Sequence, residues 1–145
     1  MSWSASTAPP VDSRGRRVPA VLRECWAAIF RRRWVAVVDG RSMEPTLSEG
    51  DRLLIRRCAP AGVRRGDIVV AREPLSTLPG RLVVKRAVAV PGDPVPPRLG
   101  LAGDVVPEGA LVVLGDNPDQ SRDSRDFGYL PASHLLGVAV RTLIT

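Results

Sequence analysis

The chain has 145 residues, enough for one domain with a continuous core, and its hydrophobic residues include few aromatics, so that core is mainly aliphatic. The fourteen prolines and thirteen glycines favour short strands joined by loops. The net charge of +6 comes from scattered arginines with few aromatic side chains to stack on bases, so we expect no nucleic-acid partner. The sequence has no stretch of about twenty nearly uncharged residues, so no transmembrane helix is predicted. We expect a cytoplasmic protein or one peripheral at a membrane.

The first part of the chain divides into two predicted segments. Residues 1–17 are rich in serine, proline and arginine, lack the apolar centre of a signal peptide, and predict a disordered arm. Residues 18–33 carry apolar side chains at helical spacing and end in three arginines, which predicts a short amphipathic helix with a basic end. The helix could pack on its own domain, or lie in a membrane surface with its arginines against anionic lipid.

Residues 34–145 predict a separate, mainly β domain. Valine-rich runs follow one another without intervening helices, apart from one helical turn near His134, so we expect antiparallel pairing. The predicted strands are Trp34–Val38, Asp51–Arg57, Asp67–Arg72, Arg81–Val90, Ala110–Leu114 and Val138–Ile144.

Lys85 is the only lysine among twenty-one basic residues, and it lies inside an apolar run. In a strand it would share one face with Val83, Ala87 and Ala89. Burial among such residues lowers the pKa of an amine from its usual value of about 10.4, and a neutral amine is a base, which arginine never becomes. The alternative is a strand lysine whose amine reaches water.

A base needs a partner, and Ser42 is the candidate nucleophile. A Ser-His-Asp triad would have to use His134, the only histidine, and no Gly-x-Ser-x-Gly motif is present. A serine-lysine pair is therefore favoured, although Ser42 taken alone could equally be a surface turn residue.

A series of short motifs surrounds these two residues in a fixed order. Across residues 34–143 the series resembles the type I signal peptidase family. The motifs are Ser42-Met43-Glu44-Pro45-Thr46-Leu47, Gly50-Asp51, Gly66-Asp67-Ile68-Val69, Lys85-Arg86 followed by Pro91-Gly92-Asp93, and residues 115–128 from Gly115-Asp116-Asn117 to Phe127-Gly128.

The resemblance implies a serine endopeptidase that removes a leader or signal peptide from a precursor polypeptide and cleaves after small residues. The sequence has no metal-ligand cluster, phosphate loop or nucleotide-binding motif, so no metal or cofactor is expected. The resemblance also implies a fold of antiparallel coiled β sheets. Ser42 would be the nucleophile and its backbone N–H an oxyanion donor, and Lys85 would be the general base. The remaining implied roles are lysine orientation by Ser121, structural support near the site by Asp116, Asp123 and Arg125, and a place beside the substrate groove for Met43.

The chain also departs from the family pattern. Gly40 stands where many members have a serine or threonine that donates to the oxyanion. No large inserted second domain is expected, because residues 91–107 are the only room for one. The chain is thus similar to short members, such as organellar inner-membrane proteases and soluble proteases that trim one dedicated precursor.

Two other classes of function stay open. Repressors that cleave themselves at an Ala-Gly bond use the same serine-lysine chemistry, and such bonds occur at Ala61-Gly62 and Ala102-Gly103. Both follow Ser42, whereas the repressor bond precedes the nucleophile. A binding module without catalysis is the third class, although Ser42, Lys85 and Ser121 are all present.

Overall fold

The computed structural model describes residues 32–143 of the chain. The arm predicted over residues 1–17 and most of the helix predicted over residues 18–33 lie outside the described residues. Arg33, assigned to that helix by prediction, is instead the first residue of a strand. The seven strands are β1 (Arg33–Val37), β2 (Arg52–Arg56), β3 (Ile68–Arg72), β4 (Leu82–Ala89), β5 (Ala110–Leu114), β6 (Leu130–Pro131) and β7 (Leu135–Leu143).

Helical structure is limited to short segments within the described residues. The α-helix α1 (Ser124–Phe127) begins at Asp123, whose carboxylate accepts a hydrogen bond from the N–H of Arg125 while Asp126 caps the N–H of Asp123 in return. The turn at Ala132–His134 confirms the helical turn predicted near His134. The other 3-10 turns are Pro60–Gly62, Pro97–Leu99 and Pro118–Gln120.

The strands form one curled antiparallel sheet in the order β1-β2-β7-β3-β4-β5-β6. Register shifts interrupt the β2–β7, β3–β7 and β4–β5 pairs, and such bulges increase the local twist that curls a sheet. Gly137 lies where β7 passes closest to β2, because a Cβ there would clash with the carbonyl oxygen of Arg56. The predicted antiparallel, coiled β fold is therefore confirmed.

The core is aliphatic, as the composition predicts, and consists of three clusters. The first lies between β3, β4, β5 and β7 and includes Val69, Ala87 and Leu111. The second lies beneath β1 and β2 and includes Met43, Leu53 and Ile55. The third, around Val106 and Val112, packs under residues 90–109, which form only loops, a 3-10 turn and one antiparallel bridge.

The fold places Ser42 in a connection between strands and Lys85 within a strand. Ser42 lies in the β1–β2 connection, a series of turns in which the N–H of Leu47 donates to the carbonyl of Met43 and the N–H of Gly50 to that of Val38. Lys85 lies in the middle of β4. None of the helices in residues 32–143 is both long and apolar enough to cross a membrane.

Candidate active site

A groove of about 710 Å³ runs along β1 and the first half of β4, and it contains both Ser42 and Lys85. Among the strands of residues 32–143 β1 is an edge strand, and one side of its backbone pairs with none of them. The groove is lined by residues 34–42 and by Val70, Glu73, Leu78, Arg81, Leu82, Val83, Val84, Lys85, Gln120 and Arg122.

Lys85 is buried, with 4% of its surface exposed, and β4 alternates as the sequence predicts, with Ala87 and Ala89 buried on the same face. Burial lowers the pKa of the amine below 10.5, because the charged form loses its hydration. The negative charges of Asp123 and Glu73 act in the opposite direction but do not reverse the shift. The site therefore favours the neutral amine relative to a lysine in water.

The backbone of Ser42 is fixed by the loop that follows β5. The N–H of Asn117 donates to the carbonyl of Ser42 at 2.9 Å, and Nδ2 of Asn117 donates to the carbonyl of Arg41 at 3.0 Å. Within residues 32–143 the N–H of Ser42 has no hydrogen-bond acceptor. Gly40 also lines the groove and has a φ of 89°, which glycine adopts without strain.

Gly115 brings the backbone of Ser42 close to the side chain of Ser121. A Cβ on Gly115 would clash with Oγ and Cβ of Ser121 and would lie 2.7 Å from the carbonyl oxygen of Ser42. Only glycine leaves room for both groups at this point. Gly115 belongs to one of the sequence motifs, but this role was not predicted from the sequence. Its place directly after a buried strand is the feature that could have indicated a close contact there.

Asp123 is the centre of a buried hydrogen-bond network next to Ser121. Its carboxylate accepts from the hydroxyl of Ser121 at 2.6 Å, from the N–H of Gly115 at 2.9 Å, and from Nε and Nη2 of Arg125 at 2.9 Å each. Burial acts to raise the pKa of Asp123, but the hydrogen bonds from Arg125, Ser121 and Gly115 outweigh it and lower the pKa to about 2. Because the Ser121 hydroxyl donates to Asp123, its lone pairs are left to accept a hydrogen bond, and the orientation of Lys85 by Ser121 stays a prediction.

Asp116 links the strand of Lys85 to the loop of Ser42. Arg86 donates from Nε and Nη2 to the two oxygens of Asp116 at 2.8 and 2.7 Å, and the hydroxyl of Thr46 donates to Oδ2 at 2.6 Å. The hydrogen bonds from Arg86 lower the pKa of Asp116 despite its partial burial. Sequence reasoning placed Asp116 near the site but missed Arg86 and Thr46 as its partners.

Met43 lies in the core rather than on the surface of the groove. It is 1% exposed and belongs to the same cluster as Val38 and Val70, which do line the groove. A contact between Met43 and a substrate stays a prediction.

Glu73 is a buried carboxylate that sequence reasoning missed. It follows β3, lines the groove, and forms ion pairs with Arg81 and Arg122, whose side chains are largely exposed. Arg81 lies across the β3–β4 connection from Glu73, but Arg122 is far away in the sequence, so no local pattern connects all three residues.

Comparison with known proteins assigns both halves of the matched sequence to one family. The family model described as signal peptidase, peptidase S26, matches residues 18–100 and 97–144. A probable signal peptidase I-1 of Synechocystis sp. is 30% identical over 85% of this chain and 79% of its own length. Signal peptidase I of Bacillus caldolyticus is 30% identical over 87% of this chain and 88% of its own. The mitochondrial inner membrane protease subunit 1 of Xenopus tropicalis is 35% identical over 71% of this chain and 64% of its own.

Proposed function

We propose that this chain is a serine endopeptidase that removes a leader or signal peptide from a precursor protein, because it belongs to the signal peptidase family, peptidase S26. The observation that carries the proposal is the buried Lys85, which lines the same groove as Ser42. A base with a lowered pKa in the same groove as a candidate nucleophile is consistent with this chemistry.

In the proposed reaction the hydroxyl of Ser42 attacks the carbonyl carbon of the precursor bond. The neutral amine of Lys85 accepts the hydroxyl proton as the new C–O bond forms, which yields a tetrahedral intermediate and a lysine ammonium ion. The carbonyl oxygen becomes negative in this step and accepts a hydrogen bond from the N–H of Ser42, which has no acceptor among the described residues. With Gly40 two residues earlier, this oxyanion site depends on backbone donors.

The second half of the reaction returns the protein to its starting state. The ammonium of Lys85 donates its proton to the leaving amine as the peptide C–N bond breaks, which leaves an ester on Ser42. The amine, neutral again, takes a proton from a water molecule that attacks the ester, and the released Ser42 oxygen recovers a proton from Lys85. The hydroxyl of Ser121, held by Asp123, would orient the amine in both halves.

The edge position of β1 among the described strands supports binding of the precursor as an extended segment. Addition of a strand to an exposed sheet edge provides backbone hydrogen bonds independent of sequence, and the side-chain pockets then give specificity. The groove lining includes Val38, Val70 and Val84, which offer an apolar surface for the small residue before the cleaved bond. Contact of the helix predicted over residues 18–33 with a membrane surface also stays a prediction.

The alternative of self-cleavage receives no support from a specific contact. Ala61 and Gly62 form a 3-10 turn, and Ala102 and Gly103 lie in the loop between β4 and β5. Neither pair is among the residues that line the groove.

The proposal is tested with purified protein and a peptide that carries alanine before the expected bond, cleavage being followed by mass spectrometry. Ser42→Ala and Lys85→Ala should abolish cleavage, and Lys85→Arg should be equally inactive because a guanidinium keeps its proton. Ser48→Ala is the matched control, since Ser48 is an exposed serine of the same loop. The wild-type rate should rise with pH through the lowered pKa of Lys85. Wild-type activity in Lys85→Arg would rule out lysine as the base.

A further inference from the structure

Glu73, Arg81 and Arg122 form a charged cluster in the groove, away from Ser42. In the β3–β4 pair Lys85 is opposite Val69 and Val83 is opposite Ala71. The next pair on this face is Glu73 and Arg81, where the N–H of Glu73 donates to the carbonyl of Arg81 at 3.0 Å. The cluster therefore lies on the same face of the sheet as the amine of Lys85.

The carboxylate of Glu73 fixes the inner side of both guanidinium groups. Its side chain is only 5% exposed, and its oxygens lie 3.0 Å from Nε of Arg81 and 3.6 Å from Nε of Arg122. The arginine side chains are 59% and 58% exposed, and neither forms an ion pair with any other carboxylate between residues 32 and 143. Two guanidiniums thus lie in the groove around a single negative charge.

The rest of the groove does not neutralise this excess positive charge. Arg41, the third arginine of the lining, pairs with Glu44, and Asp39, the other carboxylate of the lining, forms no ion pair with Arg81 or Arg122. Lys85 has a lowered pKa because of its burial. A carboxylate on a bound peptide would therefore be attracted to Arg81 and Arg122, where a guanidinium fork can donate two parallel hydrogen bonds.

We propose that Arg81 and Arg122 bind an acidic side chain of the precursor and thereby select precursors with aspartate or glutamate near the cleavage site. The inference rests on the proposed function at one point: that function identifies the bound peptide as part of a precursor that is then cleaved. Arg81 precedes Lys85 by four residues on one strand, a separation of about 13 Å, which an extended peptide covers with roughly four residues. The acidic residue lies about three to five positions from the cleaved bond.

Binding is measured apart from cleavage, with the Ser42→Ala protein and short fluorescent peptides. The peptides have alanine at the expected bond and are identical except for glutamate or glutamine about four residues from it, on either side. Fluorescence anisotropy should show binding of one glutamate peptide about tenfold tighter than its glutamine twin, the effect of a partly desolvated charged hydrogen bond. A second substitution in the Ser42→Ala protein, Arg81→Gln or Arg122→Gln, should remove most of that preference.

Arg98→Gln is the matched control, because Arg98 is an exposed arginine in a 3-10 turn outside the groove lining. The two substitutions in the cluster affect exposed side chains, and circular dichroism checks that the fold is intact. Equal affinity for the glutamate and glutamine peptides, or a preference that survives both Arg81→Gln and Arg122→Gln, would overturn the inference.

Cleavage of the same peptides by the wild-type protein separates the two proposals. Equal kcat/KM for the glutamate and glutamine peptides, with Ser42→Ala inactive, keeps the peptidase and refutes selection of acidic residues. A binding preference that depends on Arg81 and Arg122, without any Ser42-dependent cleavage, supports the anion site and refutes the peptidase.

Discussion

Replacement of Asp123 by asparagine removes one negative charge from the centre of the network next to Ser121 and leaves the shape of the side chain almost unchanged. In the wild-type protein the carboxylate is fully buried and accepts five hydrogen bonds, three of them from Arg125. Asparagine has one acceptor oxygen and presents N–H groups to the remaining donors. The variant therefore loses the interaction of the charge and creates mismatched donors.

The pKa of Asp123 gives the size of the electrostatic part. It falls from 3.8 to about 2 on folding, and that difference corresponds to a stabilisation of about 2 kcal/mol. Since the folded pKa is the lower one, this stabilisation is fully present above pH 3.8 and is lost as the pH falls through about 2. Asp123→Asn should therefore be less stable than wild type by about 2 kcal/mol or more at pH 7.

Urea denaturation of both proteins at a series of pH values measures the difference in unfolding free energy. The difference should be constant from pH 7 to about pH 4 and should shrink as the pH approaches 2, where the wild-type carboxylate also becomes neutral. Asp104→Asn, an exposed carboxylate in a loop, is the control and should match wild type throughout. A difference that is absent at pH 7, or that does not change with pH, would refute the assignment of this stability to the charge of Asp123.

Two further substitutions test the packing and the charge of the site. Lys85→Met should be inactive but more stable than wild type near neutral pH, because burial disfavours the charged amine of the wild-type lysine. This gain in stability should shrink as the pH rises toward 10.5, where the amine loses its charge in the unfolded chain as well. Lower stability than wild type in thermal unfolding at pH 7 would contradict this prediction. Gly115→Ala should reduce the unfolding free energy by about 1–3 kcal/mol and impair cleavage, because the added methyl group collides with Ser121 and the carbonyl of Ser42. Gly62→Ala, whose Cβ would come no closer than 3.2 Å to Cys58, is its milder control, and equal behaviour of the two glycine variants would show that the contact at Gly115 is unimportant.

The sequence predicts most of the sheet because its strands depend on local patterns. Alternation around Lys85 and the valine run Ala110–Leu114 are visible along the chain and correspond to β4 and β5. β6 has only two residues, and it exists because Leu130 pairs with Leu111 of a distant strand, which no short pattern indicates. The helix α1 did have a local signal, since Asp123 and Asp126 have the spacing of a capping box.

The surroundings of the candidate site were predicted less completely than the main residues. Motifs identified Ser42, Lys85 and Asp123, because their order along the chain is itself the signal. The roles of Gly115 and Glu73 depend instead on what the fold brings against them, a clash at one position and two arginines at the other. Such contacts between distant residues become visible only when the sheet has been assembled.

The position of β7 between β2 and β3 has a consequence for synthesis on the ribosome. The hairpin that carries Ser42 and the strands that carry Lys85 share no ladder of backbone hydrogen bonds until β7 joins them. Before residues 135–143 have emerged from the exit tunnel, a growing chain can connect its two candidate reactive groups only through contacts such as those of Asp116 with Arg86 and Thr46, and not through the sheet. The sheet that holds both groups in one register is therefore completed only when translation of the domain is nearly finished.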